Sequence, residues 1–230
     1  MTLLWPIRGS AYDGSGMRSL LNLRLAAILF LAVFPITKAR GQVLEFESGG
    51  LKYKALTRGG VTIMFAPLPT RVLGYTILQV AISNGSPVSW SFKPEDFRFE
   101  QDGGQRIQAV SAGTVVKQLL DHASRGDVGR LISAYESALF GNAHVRSTNG
   151  YESRRQDYLA LGSTKLKAAS AASAIALVTT KLSPGQSTDG AVFYPSKGKP
   201  LGAGRLIVET AGETFEFPVE AEIPQRASAK

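Results

Sequence analysis

Tyr75-Thr76-Ile77-Leu78-Gln79-Val80-Ala81-Ile82-Ser83 runs into Asn84-Gly85-Ser86-Pro87 and then into Val88-Ser89-Trp90-Ser91-Phe92. Side chains alternate across a strand, so Leu78, Val80 and Ile82 share one side, with β-branched and aromatic neighbours. The Asn-Gly-Ser-Pro run is strong turn chemistry. The stretch after it alternates apolar and hydroxyl residues with period two, so a hairpin is expected, with Trp90 buried beside Leu78, Val80 and Ile82.

The same period extends outward. Val61, Ile63 and Phe65 share a face upstream, while Gly49-Gly50 and Gly59-Gly60 punctuate the earlier chain. Downstream, Phe97-Arg98-Phe99-Glu100 alternates, Asp102-Gly103-Gly104 turns, and Ile107 to Val110 returns as a short strand. At Ser111 the period changes. Val115, Val116, Leu119, Leu120 and Ala123 fall at helical spacing, and so do Val128, Leu131, Ile132, Tyr135 and Leu139, with Ser124 or Asp127 available as a cap. A third helix starts near Asn149. Gly162 interrupts it, and the stretch from Ala168 to Ala176 is open to either helix or strand. Strand patterning resumes from Val178, with a turn at Leu182-Ser183-Pro184-Gly185 and a closing hairpin of Arg205–Glu209 on Thr214–Phe217. The expected class is mainly β: an immunoglobulin-like two-sheet sandwich with an α-helical insertion over about 111–170.

Leu182-Ser183-Pro184-Gly185-Gln186-Ser187, Gly190-Ala191-Val192-Phe193-Tyr194-Pro195, Arg205-Leu206-Ile207-Val208 and Phe215-Glu216-Phe217 resemble the closing strands of bacterial secreted immunoglobulin-like domains of unknown function. Leu78–Asn84 followed by Phe92-Lys93-Pro94-Glu95-Asp96-Phe97 is similar to the middle strands of those domains. The resemblance spans about half the chain. It implies no catalytic residues, and the 111–176 block has no counterpart in it.

Residues 1–41 form a separate expectation. Leu25–Phe34 is a ten-residue apolar run behind Arg18 and Arg24, followed by small residues at Thr37, Ala39 and Gly41. It is too short to anchor in a bilayer but suits a signal peptide cleaved after Ala39 or Gly41, with residues 1–16 as an upstream mis-start before Met17. That leaves a domain over 42–220 and a polar tail over 221–230. Export to a periplasm or the exterior follows, without a transmembrane anchor.

The whole chain has 26 basic and 18 acidic residues and no cysteine. Removing the leader leaves 21 against 17, or +4, too little for a dedicated nucleic-acid binder. Without cysteine there are no disulfides and no thiolate metal sites. The only histidines, His122 and His144, lack the i, i+4 spacing of a helical zinc pair, so neither metal nor cofactor is expected. Glu95-Asp96 reads as a turn, not a carboxylate pair for glycoside cleavage, because neighbours on a strand point to opposite faces. Arg125-Gly126-Asp127 reads as the first turn of a helix.

One cluster points to binding. Arg146, Arg154, Arg155, Lys165 and Lys167 interleave with Tyr151 and Tyr158, opposed only by Glu152 and Asp157. Such a basic, aromatic face suits an envelope protein, an anionic polymer or a lipid surface. The expected function is a non-catalytic, exported binding or scaffold module of the cell envelope. The alternative is an exported hydrolase whose serine or carboxylate site is assembled from residues distant in sequence.

Overall fold

A computed structural model describes residues 41–122, 124–141 and 151–221. The signal-peptide reading of the leader and the reading of the tail from 222 onward fall outside the described residues.

The chain is mainly β with antiparallel sheets. Its strands are β1 (Leu44–Ser48), β2 (Leu51–Arg58), β3 (Val61–Val72), β4 (Tyr75–Asn84), β5 (Trp90–Phe92), β6 (Phe97–Gln101), β7 (Arg106–Gln108), β8 (Thr180–Leu182), β9 (Ser187–Pro195), β10 (Gly204–Thr210) and β11 (Glu213–Val219). Between β7 and β8 lie α1 (Ala112–His122), α2 (Arg125–Phe140), α3 (Tyr151–Leu159) and α4 (Thr164–Ile175). A five-stranded sheet has the order β1-β2-β3-β4-β9, a four-stranded sheet the order β11-β10-β6-β7, and β5 pairs with β8 alone. Strands β1 to β3 are joined by two-residue turns at Gly49-Gly50 and Gly59-Gly60. All four of these glycines have positive φ, a conformation that suits the twist of tight hairpins and that a Cβ would oppose.

Leu78, Val80 and Ile82 are buried in one core with Trp90, as the alternation predicts. That core lies between the two large sheets: Ile63, Phe65 and Val192 come from one, Phe97, Phe99, Leu206, Phe215 and Phe217 from the other. Phe65 and Phe217 meet edge to face with ring centroids 5.1 Å apart, and the Arg58 guanidinium donates to the Thr214 carbonyl, tying β2 to β11.

The expected hairpin of β4 with the Val88–Phe92 stretch does not form. β4 instead pairs along its length with β9, from Tyr75↔Pro195 to Ser83↔Ser187, while β5 pairs with β8. The turn residues redirect the chain. Asn84 Nδ2 donates to the carbonyls of Val88 (2.8 Å) and Leu182 (3.0 Å), and Trp90 Nε1 donates to Ser86 Oγ (2.9 Å). A longer ladder with β9 satisfies more backbone groups than a three-residue β5 could.

β4 is also buried on its second face. Tyr75, Ile77 and Ala81, with Leu68 and Val72 of β3 and Phe193 of β9, share a core with Val115 and Leu119 of α1, Leu131, Tyr135 and Leu139 of α2, Tyr151 of α3 and the alanines of α4. The helices therefore form a third layer over the five-stranded sheet. The Ala168–Ala176 stretch is helical through Ile175, and its small side chains let α4 pack against the other three helices. The two flanks of the four-helix block return to one strand, because Val110 bridges Phe193 and Ala176 bridges Ala191.

Candidate binding site

Of the basic and aromatic cluster read from the sequence, the structure engages Tyr151 and Arg155 between helices. The Tyr151 ring is fully buried, tilted against Tyr135 at 5.1 Å, with its hydroxyl donating to Glu136 (2.9 Å). Arg155 forms an ion pair with the same Glu136, across the α2–α3 contact. Arg154 is half-buried, and its Nε and one terminal nitrogen have no hydrogen-bond partner among the described residues. Lys165 is exposed and donates to the Asp121 carbonyl at the end of α1 (2.9 Å), and Lys167 is half-buried on α4. Arg146 lies outside the described residues, and of Tyr158 only the backbone, in α3, is described. Tyr151 and Arg155 thus join helices to one another and do not face outward together.

The other motifs resolve into structural roles. Asp127 of the Arg-Gly-Asp run is only 8% exposed, closing a capping box with Ser124: the Ser124 N–H and hydroxyl donate to its carboxylate (2.9 and 2.7 Å). Burial pulls the Asp127 pKa up, but the hydrogen bonds from Ser124 and Arg130 outweigh it and hold the carboxyl below its ordinary range. Glu95-Asp96 sits in a single 3-10 turn, where Asp96 accepts from the Lys93 N–H (3.0 Å). His122 is exposed on α1, and His144 lies outside the described residues. Trp90 and Phe92 stack at 6.2 Å inside the core.

A cavity of about 520 Å³ opens between the two large sheets at the β3–β4 hairpin end. It originates in β3. Its register with β4 passes from Pro67↔Leu78 to Arg71↔Thr76, which sets three β3 residues, Leu68, Pro69 and Thr70, against Ile77 alone. Pro67 and Pro69 carry no N–H, so neither can donate to the ladder with β4 in this stretch, and a bulge takes its place. The two extra residues of the bulge keep the alternation: Val61, Ile63 and Phe65 point to the inter-sheet core, while Met64 before the bulge and Leu68 and Val72 within and after it pack under the helices.

Phe65, Leu68, Leu78, Phe99, Leu201 and Val219 make the apolar part of the lining. The polar part is Thr70, Thr76, Arg71, Arg130 of α2, and Glu220 just beyond β11. The walls are held by specific bonds. Thr76 Oγ1 donates to the Lys199 carbonyl (3.0 Å) and lies 2.9 Å from Ser196 Oγ, and Gln101 Nε2 donates to the Leu201 carbonyl (2.6 Å). Arg130 is braced along α2 by Asp127 (2.8 Å) and the Gly126 carbonyl (3.2 Å). Arg71 is exposed and has no ion-pair partner among the described residues.

Sequence reasoning missed this site, although Pro67-Leu68-Pro69 directly after an alternating strand was the available signal. No protein family, curated protein or solved structure matches the chain.

Proposed function

We propose that this protein is a non-catalytic binding module, exported to the cell envelope and built on an immunoglobulin-like two-sheet frame, which takes a small ligand in the cleft between its sheets. The observation that carries this reading is the cleft itself. Its volume of about 520 Å³ falls in the range of small-molecule sites, and its apolar floor with a few polar groups at the rim is a lining suited to holding a ligand. Two antiparallel sheets around one aromatic core support the frame, and the helical layer contributes cover and Arg130. The short cationic and apolar leader supports export.

Titrating the isotopically labelled protein with a soluble fragment library should move amide resonances of Phe65, Phe99 and Leu201, and filling the cleft by Thr70→Trp should abolish those shifts. Shifts confined to Arg154, Lys165 and Lys167, or unaffected by Thr70→Trp, would overturn the assignment to the cleft. Mass mapping of the exported species should give an N-terminus at Arg40 or Gln42, and an intact Met1 or Met17 would overturn export by cleavage.

A further inference from the structure

Resting on the cleft as the binding site, we infer that its ligand is an amphipathic anion: a single alkyl or acyl chain carrying a carboxylate or phosphate head, with the Arg71 guanidinium as counter-ion. Two physical demands select this class. The floor is made by Phe65, Leu78 and Phe99, core side chains of both sheets, so an apolar chain entering there extends the inter-sheet core and gains the free energy of apolar burial. The mouth is charged: Arg71 and Arg130 line it, with Glu220 as the one carboxylate among the described lining residues, on the side of the four-stranded sheet.

Those charges are not equivalent. Arg130 already shares its charge with Asp127 at 2.8 Å, whereas Arg71 has no ion-pair partner among the described residues. Arg71 is thus the uncompensated charge, placed on the bulged strand whose inner neighbours make the floor. A cationic head would meet two guanidiniums, and a neutral head would leave Arg71 solvated but unpaired. An anionic head at the mouth stays hydrated and pairs with Arg71, an attraction that weakens as salt rises.

Calorimetric titration of the protein with decanoate, decyl phosphate, decanol and decyltrimethylammonium tests both parts. One or both anions should bind about tenfold or more tighter than decanol, and the cation weakest. Comparing decanoate with decyl phosphate identifies the head. Arg71→Ala should reduce the anion preference to about threefold or less while leaving decanol affinity and the melting temperature unchanged, and Thr70→Trp should remove binding of every probe. Equal binding of decanol and both anions, or an anion preference that survives Arg71→Ala, would overturn the inferred class while leaving the cleft as the site. Binding of all probes undiminished by Thr70→Trp would overturn the cleft itself, and binding of no probe would overturn the amphipathic ligand.

Discussion

Two buried tyrosines show how little a residue's identity says before its surroundings are known. Tyr135 and Tyr194 are both fully buried, one under the helices and one between the sheets. The Tyr135 hydroxyl donates to the Asp189 carboxylate at 2.7 Å, and Asp189 is itself only 2% exposed. The Tyr194 hydroxyl has no partner among the described residues, and complete burial pushes its pKa far up, because the phenolate would be stranded in a dry core. Tyr135→Phe should therefore cost about 1–3 kcal/mol, since a buried carboxylate loses a donor. Tyr194→Phe should leave stability unchanged or raise it, since only an unpaired hydroxyl is removed. Urea denaturation of the two variants side by side checks the contrast, and equal losses would disprove it.

At the scale of an element, α2 illustrates a helix whose start depends on a titrating group. Ser124 and Asp127 cap it reciprocally, and Arg130 adds an ion pair one turn on. The folded Asp127 pKa lies below its ordinary value, so the stabilisation is present above the ordinary carboxylate pKa of about 3.9 and is lost as pH falls through the lower folded value. Asp127→Asn should cost about 1 kcal/mol at neutral pH, and the difference from the wild type should vanish in acid. Denaturation midpoints across a pH series measure this, and a difference that persists in acid would refute it. Arg130 belongs to the same cap and reaches the cleft, so Asp127→Asn should also loosen one wall of the site.

For the whole molecule, the decisive feature is that the five-stranded sheet is covered on both faces. Val110 and Ala176 dock two residues apart on β9, so a short glycine-serine linker can replace residues 112–175 without stretching the frame. The linker variant would expose Leu68, Val72, Tyr75, Ile77 and Phe193 as one apolar face. It should lose soluble expression or bind a hydrophobic dye strongly, because a contiguous patch of that kind drives association. A soluble, cooperatively unfolding linker variant would show that the helices are dispensable to the frame.

Local patterning was enough to place β4, the β6–β7 and β10–β11 hairpins and the buried stripes of α1 and α2, and to narrow the cap of α2 to Ser124 or Asp127, because each depends on side-chain periodicity or on a turn residue a few positions away. It was also enough to put Leu78, Val80 and Ile82 on one side with Trp90. Period two says which residues share a face; it does not say what lies against that face or which strand takes the free edge. Only long-range packing decided that β9, and not β5, completes β4. The same packing laid the helices over Tyr75 and Ile77, and turned Tyr151 and Arg155 inward to Tyr135 and Glu136. The cleft needed more still. Pro67 and Pro69 weaken the ladder locally, but the opening exists because β3, β11, the Leu201 loop and α2 converge there, and residues so far apart in the chain meet only in the folded state.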